Sequence, residues 1–166
     1  MSIKRIILTS ETAEAKMHRM ALEVAEQLSG DENELIITGI KNNGIFIAEK
    51  IAAHLTKYFA APIKLLQLSM DKKQPAQIIL SEYIDLNNKN ILLVDDVSNS
   101  GKTLLYALKP LLNYYPKRIQ TLVLVERMHK LFPVKPDYVG LSIATDFNDY
   151  IQVEEDGGKI QATIVQ

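Results

Sequence analysis

The residue types best suited to chemistry are concentrated at positions 90–104, which read NILLVDDVSNSGKTL. Four apolar residues, Ile91, Leu92, Leu93 and Val94, lead into two adjacent carboxylates, Asp95 and Asp96. Small polar residues follow, Ser98, Asn99, Ser100, Gly101, Lys102 and Thr103, and then a segment of helical apolar spacing. Carboxylates accept hydrogen bonds from sugar hydroxyls. Loop amides and a helix N-terminus hold phosphate. Acids followed by hydroxyls and a helix start therefore suit a phosphorylated sugar.

Three other chemistries compete for this stretch. Gly101-Lys102-Thr103 matches the end of the nucleotide loop G-x-x-x-x-G-K-[ST]. The glycine that pattern needs five residues earlier is Asp96, whose carboxylate would crowd and repel phosphates. A capped helix with a solvated charge pair would explain an isolated Asp-Asp, but not the whole ordered succession. A receiver-like acid cluster needs a further strand-end acid, and residues 35–40 (LIITGI) end without one.

The elements that must position these groups read as alternating strands and helices. Residues 3–8 form an apolar run, taken as an edge strand. Met17, Met20, Ala21, Val24, Ala25 and Leu28 fall at helical spacing after the capping residues Thr9 and Ser10, and that helix ends near Gly30. Residues 35–40 read as a buried strand, 41–44 as a tight loop, 45–58 as a helix and 63–68 as a strand. The polar stretch 69–76 (SMDKKQPA) reads as a flexible loop, with 77–84 returning as a hairpin strand. A strand at 90–94 precedes the phosphate loop and a helix at 103–114, in which Pro110 predicts a kink or an early end. Residues 119–125 form a further buried strand and 126–136 a loop. Short strands follow at 138–143, 150–153 and 160–165, the last two joined by a turn at 156–159. Continuous apolar strands alternating with helices imply a mainly parallel α/β sheet covered on both faces. Ligands of such sheets bind beyond the carboxyl ends of the strands, which brings the loops at 41–44 and 95–103 to one cleft.

Bulk properties exclude several classes. The 166 residues fit a single domain spanning 1–166, and 47% hydrophobic with 23% charged residues is ordinary for a soluble globular chain. With no cysteine there is no disulfide, thiol or thiolate metal chemistry, which fits the cytoplasm. The net charge of −1 gives no general attraction to nucleic acid or anionic membrane. No apolar run reaches the roughly 18–20 residues of a membrane span.

On these residues the chain resembles the type I phosphoribosyltransferases. Val94-Asp95-Asp96-Val97-Ser98-Asn99-Ser100-Gly101-Lys102-Thr103 follows their signature of apolar residues, two acids, a variable stretch and [ST]-G-x-[ST]. Residues 38–45 (TGIKNNGI) are similar to the family's pyrophosphate loop. Residues 124–133 and 136–140 most resemble the bifunctional pyrimidine operon attenuators and uracil phosphoribosyltransferases, and 135–140 (KPDYVG) also the hypoxanthine-guanine enzymes. The likeness covers about 11–153. It implies the type I fold, with helices on both faces of the sheet, a small C-terminal hood containing strands and a flap at 69–76. It implies transfer of the 5-phosphoribosyl group from 5-phosphoribosyl 1-pyrophosphate to a nucleobase, uracil foremost, with Mg2+ and in a homodimer. Purine salvage, a nucleotide sensor without turnover and an RNA-binding pyrimidine regulator are the alternatives. RNA is disfavoured by the charge.

The resemblance also assigns roles. Asp95 and Asp96 take the ribose hydroxyls and, through the donor, the metal. Ser98 to Thr103 wrap the 5-phosphate. Lys41, Asn42, Asn43 and Gly44 hold pyrophosphate. Phe147 and Val139 face the base, although an ordinary core phenylalanine is an equal reading of Phe147. Lys72 and Lys73 are in reach of the leaving group or are a solvated pair. His129 reads as structural. The departures are specific. The uracil relatives carry arginine where this chain has Asn43, and Tyr-Arg-Asp-Asp where it has Met70-Asp71-Lys72-Lys73. Asn99 stands where purine enzymes place a general-base Asp, and Glu126 where they use a lysine to read the 6-oxo group; both tilt against oxopurines.

Overall fold

The chain divides into a six-stranded sheet and a smaller three-stranded one, as described by a computed structural model for residues 3–71, 73 and 77–166. In order, the elements are β1 (Lys4–Leu8), α1 (Ser10–Gln27), β2 (Leu35–Ile40), α2 (Asn43–Leu55), β3 (Ile63–Met70), β4 (Ile78–Leu80) and β5 (Asn90–Ser98). They continue with α3 (Lys102–Ala107), a 3-10 turn (Leu111–Asn113), β6 (Arg118–Arg127), β7 (Tyr138–Ile143), β8 (Tyr150–Asp156) and β9 (Lys159–Val165). The large sheet runs β4-β3-β2-β5-β6-β7, parallel throughout except for β4, which returns antiparallel on β3. The small sheet, β1-β9-β8, is antiparallel and forms a hood from the two chain ends.

Helices cover both faces of the large sheet. Thr9 caps α1 by accepting the Thr12 amide at 3.2 Å, and Ala13, Met17, Met20, Ala21 and Val24 form its buried stripe. Together with Ile47, Ile51 and Leu55 of α2 they pack on Leu35, Ile37, Leu92, Val94, Leu122 and Leu124. The alternate residues Ile36, Ile40, Ile91, Leu93 and Val123 meet Leu104, Ala107 and Leu111 on the other face. All six residues of β2 are buried because both of its faces are covered.

From the centre the chain winds outward in opposite directions, β2 to β3 on one side and β5 to β6 and β7 on the other. The crevice beyond the adjacent carboxyl ends of β2 and β5 is thus the switch point where such sheets bind ligands. Several boundaries differ from the expected ones. β5 continues through both acids to Ser98, since β6 goes on pairing with it as far as Glu126. Glu126 and Arg127 accordingly close β6 rather than open a loop. Helix α2 starts at Asn43 and ends at Leu55. α3 stops at Ala107, because the ring of Pro110 would clash with the carbonyl of residue 106. Ser69 and Met70 belong to β3, and of the expected flap only 71 and 73 remain among the described residues, with Lys72 and 74–76 outside them. No helix of the described residues is long and apolar enough to cross a membrane.

Candidate active site

The two acids at the end of β5 part company. Successive strand side chains point to opposite faces. Asp95 is 1% exposed, and its Oδ1 accepts the Asp96 amide at 2.9 Å. Asp96 is half-buried; its Oδ1 accepts the Val97 amide at 2.8 Å and its Oδ2 accepts Asn43 Nδ2 at 3.1 Å. Behind them the first turn of α2 comes so close that a Cβ on Gly44 would lie 2.7 Å from the Val94 carbonyl and 3.1 Å from Asp95 Cα. Only glycine fits there.

Beyond Asp96 the chain folds into a cradle. Residues 96–104 and Ile151 line a cavity of about 360 Å³. Gly101, at φ 88°, makes the left-handed turn into α3. The first amides of a helix have no partner within it and face an incoming anion. The cradle is held from behind. The Ser100 carbonyl accepts both the Leu131 and the Phe132 amides at 3.0 Å. The ammonium of Lys130 donates to Ser98 Oγ at 3.1 Å and to the carbonyls of Ser98 (3.3 Å), Asn99 (3.4 Å) and Arg127 (2.8 Å). It also pairs with Glu126 at 3.4 Å. Burial pulls the Lys130 ammonium below the usual lysine value, while Glu126 pulls it back up.

A second cavity, of about 380 Å³, is lined by Lys41, Asn42, Asn43, Ser69, Met70 and again Asp96. The Lys41–Asn42 peptide is cis, and the Lys41 amide donates to the Leu68 carbonyl at 2.9 Å. The Asn42 side chain makes no cap bond to α2, so the first amides of that helix lack a side-chain acceptor from it. Asp96 is the one residue common to both cavities. An anion in each would stand on either side of one carboxylate.

A strand ending in two acids, a cradle leading into a helix and a second cavity across the switch point together make a cleft whose chemistry suits a phosphorylated sugar. The family model for the phosphoribosyl transferase domain matches residues 5–156. The chain belongs to the phosphoribosyltransferase family.

Relatives named bifunctional protein PyrR extend the match. That of Limosilactobacillus reuteri is 33% identical, covering 95% of this chain and 96% of its own. That of a Thermoanaerobacter species is 30% identical over 99% and 98%. Among solved structures, the hypoxanthine phosphoribosyltransferase of Trypanosoma cruzi superposes with a TM-score of 0.78 at 17% identity, covering 95% of each chain. A hypoxanthine-guanine phosphoribosyltransferase of Bacillus anthracis gives 0.72, also at 17% identity, over 97% and 99%. At that identity the structures speak for the fold.

Across the cleft this phosphoribosyltransferase presents a differently built wall. Glu126 is 6% exposed and is held by Lys130 and by the Ser142 hydroxyl, at 2.9 Å. Arg127 donates to Thr145 Oγ1 at 2.8 Å and to the Asp146 carbonyl at 3.0 Å, fixing the loop that carries Phe147. Phe147 itself is 97% exposed, so it is not a core residue. Val139 lines neither cavity; its side chain packs against the apolar cluster around Leu104, and its carbonyl accepts Arg19 at 3.0 Å. His129 is exposed. Sequence reasoning missed Lys130 and Ile151, whereas Ser69 and Met70 had been placed at the start of the flap expected over the site. Lys130 alone had a signal, an acid four residues before it in a stretch already matched to the family.

Proposed function

We propose that the enzyme transfers the 5-phosphoribosyl group of 5-phosphoribosyl 1-pyrophosphate to a ring nitrogen of a pyrimidine base, uracil, releasing pyrophosphate. The observation that carries this reading is the pair of cavities meeting at Asp96. One ribose between them would put its 5-phosphate in the cradle of Ser98, Asn99, Ser100, Gly101, Lys102 and Thr103. Its pyrophosphate would lie against Lys41, Asn42 and the backbone amides of Asn43 and Gly44. The bond from C1 to the pyrophosphate oxygen breaks, the oxygen keeping the electron pair. The base nitrogen supplies the pair of the new bond and releases its proton to solvent. Positive charge grows on the ribose ring in between, and Asp96 stands beside it as a carboxylate. Asp95 serves from behind, through its bond to the Asp96 amide.

The donor set also suits Mg2+, which keeps waters and is usually bound by one or two carboxylates together with substrate phosphates. When bound, the ion would neutralise the pyrophosphate as it leaves. Support for a pyrimidine comes from Asn99, which cannot take a proton at neutral pH, and from Glu126, already held by Lys130 and Ser142. Similarity at 30–33% identity to the PyrR proteins points the same way. The exposed ring of Phe147 is free to stack on a base. We assign the enzyme to the cytoplasm, as a homodimer.

The test is pyrophosphate release from the donor, with and without Mg2+, against uracil, hypoxanthine, guanine, xanthine and adenine. Release with uracil alone is the expected result. Release only with oxopurines overturns the choice of base, and no release with any of the five sinks the salvage reading.

A further inference from the structure

Asn43 lies in the pyrophosphate cavity, yet its side chain is turned inward. Its carboxamide nitrogen carries two N–H groups. One donates to Asp96 Oδ2 at 3.1 Å and the other to the Val153 carbonyl of β8 at 2.8 Å. Both partners are pure acceptors, so the orientation of the amide is fixed by chemistry. No donor is left for a phosphate oxygen. The remaining amide oxygen is an acceptor, which an anion avoids.

We propose that the Asn43 side chain is a positioning residue, acting through Asp96 and the hood rather than binding pyrophosphate. This rests on the phosphoribosyltransferase reading above. The two oxygens of Asp96 are each tied, one to the Val97 amide and the other to Asn43, so the carboxylate plane is set before the donor arrives. Its unused lone pairs are left for the ribose. The second tie acts on the hood. Val153 and Ile151 are two apart on β8 and share a face, and Ile151 lines the 5-phosphate cavity. One carboxamide thereby links the first turn of α2, the acid at the end of β5 and the wall of the opposite cavity. It sets the distance across which the donor must be stretched.

The test compares wild type with Asn43→Ala and with Asn43→Leu, an apolar side chain of similar size that fills the space without a donor. Without any ligand, amide hydrogen exchange in residues 150–156 should rise at least about ten-fold in both variants. Calorimetric affinity for the Mg2+ complex of the donor should stay within about three-fold of wild type, while kcat falls about ten-fold or more. In the Asp96→Asn background, Asn43→Ala should cost no more than about two-fold further, because the two act as a unit. Wild-type exchange in either variant, or donor affinity weakened ten-fold with kcat unchanged, overturns the proposal. Costs that multiply in the double variant do so too. Should wild type turn over no base, the parent reading fails by itself; exchange and donor affinity still decide whether the tie exists and whether Asn43 binds the anion.

Discussion

The two cavities that share Asp96 are built on opposite plans. The phosphate cradle is almost one continuous piece of chain, residues 96–104, with Ile151 as its one distant wall. It is braced from outside by the ammonium of Lys130 and by the amides of Leu131 and Phe132. The cavity proposed for pyrophosphate is assembled from the end of β2, the start of α2, the end of β3 and Asp96. Among the described residues its ties are the Asn43 carboxamide and the Lys41 amide on the Leu68 carbonyl. A contiguous cradle keeps its shape wherever the rest of the chain moves, whereas an assembled one depends on the approach of separate elements. We therefore expect the assembled half to be the more sensitive to small changes in packing, and the contiguous half to the loss of its braces.

The largest effect should come where both halves touch. In Gly44→Ala the added methyl meets backbone, the Val94 carbonyl and Asp95 Cα, and neither can swing away as a side chain could. Overpacking of this kind costs about 1–3 kcal/mol. Displacing α2 from β5 opens the assembled cavity and moves the acids, so turnover should fall about 100-fold or more. Thermal unfolding and steady-state rates check the two parts separately, and a near-normal rate would show that the close approach is not needed for the chemistry. Next comes Asp96→Asn, which nearly keeps the shape and removes the charge that the proposed mechanism sets beside the ribose. It should lower kcat about ten-fold or more, with a loss of stability of about 1 kcal/mol, because the new carboxamide nitrogen must face a donor, Asn43 Nδ2 or the Val97 amide. An unchanged kcat would refute the role of that carboxylate.

The contiguous half is tested through its brace. Lys130→Met keeps much of the apolar stem but removes the ammonium's donations to Ser98 and Asn99 and leaves buried Glu126 with Ser142. Leaving a buried charge without its partner is strongly destabilising, so the melting temperature should drop measurably. The donor KM should rise about ten-fold while kcat changes less than about three-fold, since the brace shapes binding of the 5-phosphate and not the reacting carbon. The reverse pattern, a lower kcat at constant KM, would mean that the brace acts on the acids instead.

This difference in construction also explains how much was readable from residues alone. The contiguous cradle announced itself, because the acids, hydroxyls, Gly101 and helix start follow one another in the chain. β2 and β7 matched their expected limits, as their apolar runs end where the polar loops begin. The two expected cavity loops did meet at one crevice, which follows from the parallel order of the strands. What escaped was everything that tertiary structure adds across distance. Ile151 and Val153 lie some fifty residues beyond Gly101 and read only as a strand. The inward turn of Asn43 depends on where Asp96 and β8 stand, and no local pattern encodes it. Val139, in a matched stretch, is partly buried against the apolar cluster around Leu104 and lines neither cavity. The length of β5 was underestimated because charged residues look like a strand's end until a paired neighbour carries them on.

The smallest expected effect concerns the wall outside both cavities. Phe147 is 97% exposed on a loop that Arg127 fixes through Thr145 and the Asp146 carbonyl. A side chain with so little burial contributes almost nothing to folding, so Phe147→Ala should change stability by less than about 0.5 kcal/mol. If the ring stacks on the incoming base, its removal should cost about 1 kcal/mol, the lower end for base–aromatic stacking, since one face stays open to water. That corresponds to about a five-fold rise in acceptor KM, with donor KM and the affinity for pyrophosphate untouched. Phe147→Tyr should restore the wild-type value, because stacking needs the ring and not its edge. An acceptor KM unchanged in Phe147→Ala would remove Phe147 from the site and leave base recognition to the backbone of the Arg127-held loop. A change in donor KM instead would mean that this wall and the two cavities are coupled, and that the separation drawn between the halves of the site is wrong.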